Sequence, residues 1–166
     1  MVGAAGELFV FELLSALKPA LPGFSRENWT SNIRKHAAVH PDHQSMPHWR
    51  GREKADFEYQ DVDGAFTDLL IYKGYLASAT WQGRTPKYHF EVKSTPLLCN
   101  APFFMSSAQY NKMKKLATDD SVYIIFRVFN LYKAEVDVRL YVDPVQMEAD
   151  GLLEFSIDKY TVRFRG

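Results

Sequence analysis

Cysteine is nearly absent from this chain: Cys99 is the only one in 166 residues. That excludes an internal disulfide framework and a cysteine-based zinc site, and it fits a reducing compartment. No apolar run approaches the roughly 20 residues that a bilayer-spanning helix needs, and the N-terminus lacks the basic, apolar, small-residue order of a signal peptide. The expectation is an intracellular protein, nuclear or cytoplasmic, with no membrane partner. An excess of charge is missing too, since twenty Lys and Arg balance twenty Asp and Glu, which argues against a sequence-independent sponge for nucleic acid. There is no internal repeat and no low-complexity segment.

What is there is an ordinary globular composition, 46% hydrophobic and 24% charged, in a length that suits one domain spanning 1–166. The charge is unevenly placed. Residues 26–54 carry six basic side chains (Arg26, Arg34, Lys35, Arg50, Arg52, Lys54) against three acidic ones, with four histidines besides. Residues 55–68 carry five acids and no base, and residues 94–118 carry Lys112, Lys114 and Lys115 and no acid. An acidic strip lies between two basic ones.

The chain opens directly in helical periodicity, with Glu7, Val10, Phe11, Leu14 and Leu17 on one stripe that Lys18 and Pro19 end. Such a start suggests a piece of a longer protein. Residues 19–54 read as a long basic, His-rich loop pinned by Trp29 and Trp49. From Ala55 the period changes to two, and Asp63-Gly64 predicts a hairpin with arms at about 55–62 and 65–72. Lys87 to Thr95 reads as a third strand. Ser106 with Gln109 three residues on is a capping box that predicts a helix over about 107–117. Val122 to Phe129 reads as a strand covered on both faces. A strand near 136–142, a turn or short helix at Asp143-Pro144 and a last strand or two to Arg165 complete the chain. The order is helix, three strands, helix, strand, then β additions, an α/β architecture.

Alternation in Tyr88 to Thr95 puts His89, Glu91, Lys93 and Thr95 on one face. A carboxylate and an amine then point the same way about 7 Å apart. Alone, this is also what a surface ion pair on a half-exposed sheet looks like. Asp68, flanked by Phe66, Leu69, Leu70 and Ile71, adds an acid in an expected half-buried strand, where an unpaired carboxylate is costly unless a metal or donor compensates it. Two such carboxylates on adjacent strands suit Mg²⁺ or Mn²⁺, which prefer oxygen ligands and leave positions for water and phosphate.

These residues resemble a known family. A helix, a strand with Asp, a strand with Glu-x-Lys, a helix and a strand is the order of the PD-(D/E)XK nuclease superfamily, and Asp68, Glu91 and Lys93 match its signature. The chain is more closely similar to the family of C-terminal domains of the plant NO VEIN protein. The features that carry this are Gly6-Glu7, Asp68, Glu91 to Thr95, Phe103 to Ser106 and Arg127-Val128-Phe129-Asn130. The likeness covers about 3–17, 66–72 and 88–130; Thr67 stands where proline is expected, and Gln109 where the NO VEIN group tends to have Glu.

The resemblance implies a restriction-endonuclease-like three-layer α/β/α core with extra C-terminal strands. It also implies a Mg²⁺- or Mn²⁺-dependent endonuclease that hydrolyses phosphodiesters of nucleic acid, DNA ahead of RNA. The metal would be held by Asp68, Glu91 and the Val92 carbonyl, with Glu7 directly or through water, and Lys93 would orient the attacking water. ATPase or helicase-like regions elsewhere in the full-length protein are the partners implied. The alternative function is a catalytically silent module that keeps the fold and binds nucleic acid or protein.

Other residues carry two readings each. Glu7 is a site acid or an acid favoured by the helix macrodipole. Gln109 touches substrate phosphate or Lys93, or serves only the capping box. Arg127 is a buried partner for a site carboxylate or an edge charge. His36, His40, His43 and His48 have spacings that zinc can use, or belong to a solvated loop that gains charge below pH 6.5. Arg34, Lys35, Arg50, Arg52 and Lys112 are the expected phosphate contacts, the loop acting as a flap or merely conferring solubility.

Overall fold

A computed structural model describes residues 2–156. The first helix, α1 (Val2–Ser15), buries the stripe Glu7, Val10, Phe11 and Leu14 that the periodicity marks. A long connection follows, built of short 3-10 turns at Arg26–Asn28, Arg34–Val39 and Pro41–His43. Strand β1 (Phe57–Gln60) leads into two helices, α2 (Ala65–Tyr72) and α3 (Ser78–Trp81). Then come β2 (Lys87–Ser94), α4 (Ser107–Leu116), β3 (Ser121–Phe129), β4 (Asp137–Val142) and α5 (Pro144–Ala149).

The four strands form one mixed sheet in the order β1-β2-β3-β4. β1 runs antiparallel to β2, with Phe57 opposite Phe90 and Gln60 opposite Lys87. β2 and β3 are parallel along their whole length, joined by the α4 crossover that parallel neighbours require. β4 returns antiparallel to β3. Alternation along β2 and β3 feeds two cores. Tyr88, Phe90, Val92, Ile124, Phe126 and Val128 pack with Val10, Phe11 and Leu14 of α1 and with Phe66 and Leu70 of α2. On the opposite face Tyr123 and Ile125 pack with Met113 of α4. Helices therefore cover both sides of an α/β sheet.

The expected hairpin does not form. Residues 65–72 are a helix, because the Asp61 carboxylate accepts the N–H groups of Phe66 (3.2 Å) and Thr67 (2.8 Å) and so caps the first turn. Gly64, at φ 77°, makes the left-handed turn into it, so Asp63-Gly64 starts a helix rather than joining strands. Phe66 and Leu70 are four apart and buried together, a helical spacing. Asp68 consequently stands exposed on the outer side of α2. The three strands expected before the helix at 107–117 reduce to two, β1 and β2, and β1 carries on its other edge a single bridge from Phe57 to Trp29. β3, β4, α4 with its Ser106 capping box, and the short helix after Asp143 follow the expectation. The strands expected towards Arg165 lie largely outside the described residues, and 151–156 are irregular.

One close approach holds α1 on the sheet. A Cβ at Gly6 would collide with Cβ and Oγ of Ser94, and the Ser94 hydroxyl donates to the Val2 carbonyl at 3.0 Å. Gly6→Ala should therefore lift the helix from the end of β2 and destabilise the fold by about 1–3 kcal/mol. Chemical denaturation would measure it. A wild-type midpoint would show that the helix shifts without cost.

Candidate active site

The end of β2 beyond its pairing with β1 is where acids gather. Glu91 and Lys93 share the α4 face of the strand as alternation requires, and their side chains pair at 2.9 Å. Gln109, at the start of α4, joins both: its Nε2 donates to Glu91 Oε1 at 2.6 Å and its Oε1 accepts from Lys93 Nζ at 3.2 Å. The same Oε1 accepts the Ser106 N–H at 3.0 Å, so the capping box and the site contact are one device. Tyr123, from β3, donates its hydroxyl to the other Glu91 oxygen at 3.1 Å. Desolvation and the neighbouring Glu91 charge both push the Tyr123 phenol up, leaving it a neutral donor.

The second acid is Asp56, not Asp68. Extending the antiparallel register one step past Phe57 and Phe90 sets residue 56 opposite residue 91. The Val92 N–H donates to Asp56 Oδ2 at 2.7 Å. In an extended strand the N–H and C=O of one residue face the same edge, so the Val92 carbonyl lies on the Asp56 side of β2. Burial holds the Asp56 carboxyl well above its usual range, and the Glu91 and Glu7 charges push it further. Asp68 has no part in this arrangement.

Glu7 is the third acid, 3% exposed. Its carboxylate accepts from Trp29 Nε1 at 2.7 Å and from Ser31 Oγ at 3.1 Å. Trp29 is fully buried and stacks between Phe11 and Phe57, which fixes its N–H on Glu7. Burial pushes the Glu7 carboxyl up to about 7 against these two donors, with Glu53 and Glu91 adding repulsion. Among the described residues, Lys93 to Glu91 is the only ion pair reaching these three acids.

The donor set fits a small hard cation. No three His, Cys, Asp or Glu side chains among the described residues already stand in a metal-clasping cluster. Two carboxylates and a main-chain carbonyl, with Glu7 behind them, nevertheless match an ion that takes one or two protein carboxylates and keeps its waters. Burial raises the Asp56 and Glu7 carboxyls first, and the repulsion that adds to it is what such an ion relieves.

The expected phosphate contacts divide. Arg34 is 4% exposed and is a bolt inside the connection: Nε donates to the Pro47 carbonyl at 2.9 Å, Nη1 to the Trp29 carbonyl at 2.6 Å, and the guanidinium stacks on Trp49. It is therefore a structural residue and not the nucleic-acid contact expected of it. Lys35 is half-buried, Arg50 and Arg52 are exposed in the strip that runs into Asp56, and Lys112 donates to the Glu53 carbonyl at 3.0 Å. Arg127 holds the carbonyls of Lys93 (3.3 Å) and Ala101 (2.8 Å) rather than a carboxylate. The His40 and His43 rings lie 5.6 Å apart but form no metal-holding group among the described residues: His43 is buried against Phe11 and bonds Glu12 at 2.7 Å, while His40 accepts the Asp42 N–H. Trp29, Ser31, Asp56 and Tyr123 are the site residues the sequence reading passed over. For Asp56 the signal was present, at the head of the predicted arm 55–62.

Comparison with protein-family models, with curated proteins and with solved structures returned no match for this chain.

Two predictions follow from the geometry. Because the Glu7 carboxyl is raised from 4.5 to about 7, the folded state binds the proton more tightly. Its stabilising contribution is full below pH 4.5 and is lost as pH rises through 7, a difference of about 3 kcal/mol without divalent cation. His89, held neutral by burial with its pKa lowered to about 4, slopes the opposite way between pH 4 and 6.5, so the wild type must be compared with Glu7→Gln. The variant should lose the acid-side gain in urea unfolding; parallel curves would mean Glu7 is ionised throughout.

Separately, Arg34→Ala should lower stability by about 2–4 kcal/mol. Arg50→Ala with Arg52→Ala, at exposed positions, should leave melting unchanged in the same measurement.

Proposed function

We propose that this chain is a Mg²⁺- or Mn²⁺-dependent nuclease domain of the PD-(D/E)XK kind, hydrolysing phosphodiester bonds in nucleic acid. The observation that carries it is the meeting of Asp56 with the Glu91-Val92-Lys93 strand end, two buried acids and one amine at the end of β2 beyond its pairing with β1. The element order supports the same reading. A helix, a strand entered through an acid, two inserted helices, a strand bearing Glu-x-Lys, a crossover helix and a parallel strand follow one another, with helices on both faces. A restriction-endonuclease-like core accounts for this arrangement with Asp56 in the place first expected of Asp68, and Ala55 where the signature has proline.

Asp56, Glu91 and the Val92 carbonyl would hold the cation, with Glu7 behind them. The chemistry a divalent ion supplies there is polarisation of a phosphoryl oxygen and acidification of bound water. The chain's own residues do the rest. Lys93, held by Glu91 and Gln109, presents its amine where an attacking water must be oriented. Gln109 fixes that amine by taking its hydrogen bond, and Tyr123 fixes Glu91 from behind. Arg50, Arg52 and Lys54, all within six residues of Asp56, and Lys112 across from them set positive charge around the acids, suiting a phosphate backbone.

The second reading, a silent binding module, rests on one observation. Both Glu91 oxygens already accept protein donors, as a site retired from metal binding also would. A carboxylate oxygen has two lone pairs, so Tyr123 leaves one on Oε2 for a cation.

Wild-type protein should cut plasmid or single-stranded DNA or RNA only with Mg²⁺ or Mn²⁺. Asp56→Asn, Glu91→Gln and Lys93→Met should each lose at least about 100-fold in rate, and Asp68→Ala should cut normally. Calorimetry should show Mn²⁺ binding to wild type, Lys93→Met and Asp68→Ala but not to Asp56→Asn. Cleavage that survives Asp56→Asn would sink the assignment; Mn²⁺ binding with no cleavage of any substrate would favour the silent module.

A further inference from the structure

Beside the acid cluster, on the far side of Lys93, lies a cleft of about 390 Å³. The ends of β2 and β3, the first turn of α1 and the segment before α4 enclose it, through Gly3, Lys93, Thr95, Phe103, Phe104 and Arg127 among others. Its lining contains two cations, Lys93 and Arg127, and no acid.

Arg127 is the unusual member. It is 1% exposed, and burying a guanidinium without a counter-charge is expensive. No carboxylate pairs with it among the described residues. Two carbonyls take one N–H from each terminal nitrogen, and Phe103 lies under the guanidinium plane at 5.1 Å. The Nε–H is buried with no acceptor at all. A buried donor of this kind, on a cation in an acid-free cleft, calls for an anion. At the rim Phe104 is 71% exposed, a large aromatic ring left in water beside two positive charges. A nucleotide combines the same two features, an anion and a flat ring. A base paired within a duplex has both faces stacked and cannot lie on an aromatic side chain, whereas a single strand offers them freely.

We propose that this cleft is the subsite for the nucleotide next to the scissile one in a single strand, with its phosphate between Arg127 and Lys93 and its base on Phe104. The inference rests on the nuclease reading only in naming that neighbour. Lys93 belongs to both places, its amine pairing with Glu91 and the residue lining the cleft. Arg127 ties them physically, since its Nη1 holds the Lys93 carbonyl and thereby the strand end.

The test is fluorescence anisotropy of a short labelled oligothymidylate in EDTA, so that cleavage does not intrude. Wild type should bind it, and Phe104→Ala should weaken binding by about five- to hundredfold, the range of one lost base stack. Phe104→Trp should restore it. Arg127→Lys, which keeps the charge but loses the planar fork, should weaken binding several-fold. Phe104 is exposed, so its variants read out the cleft even if Arg127→Lys folds poorly. A blunt duplex should bind without sensitivity to Phe104.

No binding by wild type, or equal binding by wild type and Phe104→Ala, would overturn the subsite. Metal-dependent cleavage, assayed separately, keeps the two readings apart. Cutting with Phe104-independent affinity would leave the nuclease and remove the subsite. Phe104-dependent binding without cutting on any substrate would do the reverse.

Discussion

Negative charge held out of water is the constraint around which this molecule is arranged. Glu7, Asp56 and Glu91 arrive from a helix, from the lead-in to one strand and from the middle of another, and each is almost wholly buried. Lys93 neutralises part of that charge. The remainder is carried by directed donors: an indole N–H and a serine hydroxyl on Glu7, a backbone N–H on Asp56, a phenol and an amide on Glu91. None of these donors is incidental to the fold. Trp29 is wedged between Phe11 and Phe57, Val92 is held in the parallel ladder, and Gln109 is part of a helix cap. The features that make the core rigid are therefore the ones that keep the acids facing each other.

This explains why the connection between α1 and β1 is more ordered than its composition suggests. Proline, histidine and arginine over some thirty residues look like solvated loop, yet Trp29 must be delivered to Glu7 from within it. Arg34 does much of that delivery, spanning from the Trp29 carbonyl to the Pro47 carbonyl under the Trp49 ring. Arg34, with both Nε and Nη1 given to backbone carbonyls, is committed to the connection, and the basic character left at the surface falls to Arg50, Arg52 and Lys54.

Legibility in the sequence followed the range of the interactions. Local patterns were readable: the Glu7 stripe, the alternation that pairs Glu91 with Lys93, the Ser106 capping box and the Val122 to Phe129 strand. Asp68 misled because apolar flanks look alike in a buried strand and a buried helix face, and the deciding contact, the Asp61 carboxylate on the N–H groups of Phe66 and Thr67, pairs groups five and six residues apart that no periodicity reveals. Asp56 was hidden for a different reason. Its place depends on which strand the arm from residue 57 pairs with, and pairing it with β2 rather than with 65–72 is a tertiary fact. Tyr123 and Trp29 likewise act across 32 and 22 residues.

The antiparallel pair β1 and β2 has two unlike ends. At one, Asp56 and Glu91 face each other; at the other, beyond Gln60 and Lys87, the chain leaves for α2 and α3 and returns. Those ends are roughly 13 Å apart along the strands. The closing cost of such an excursion grows only with the logarithm of its length, so what is inserted there makes little claim on the acids. The antiparallel pair thus separates the acids from a surface excursion. Residues 77–85, mostly exposed, are open to drift, trimming or acquisition of new contacts, while Asp61, Phe66, Thr67 and Leu70 stay buried and the chemistry stays where the register puts it.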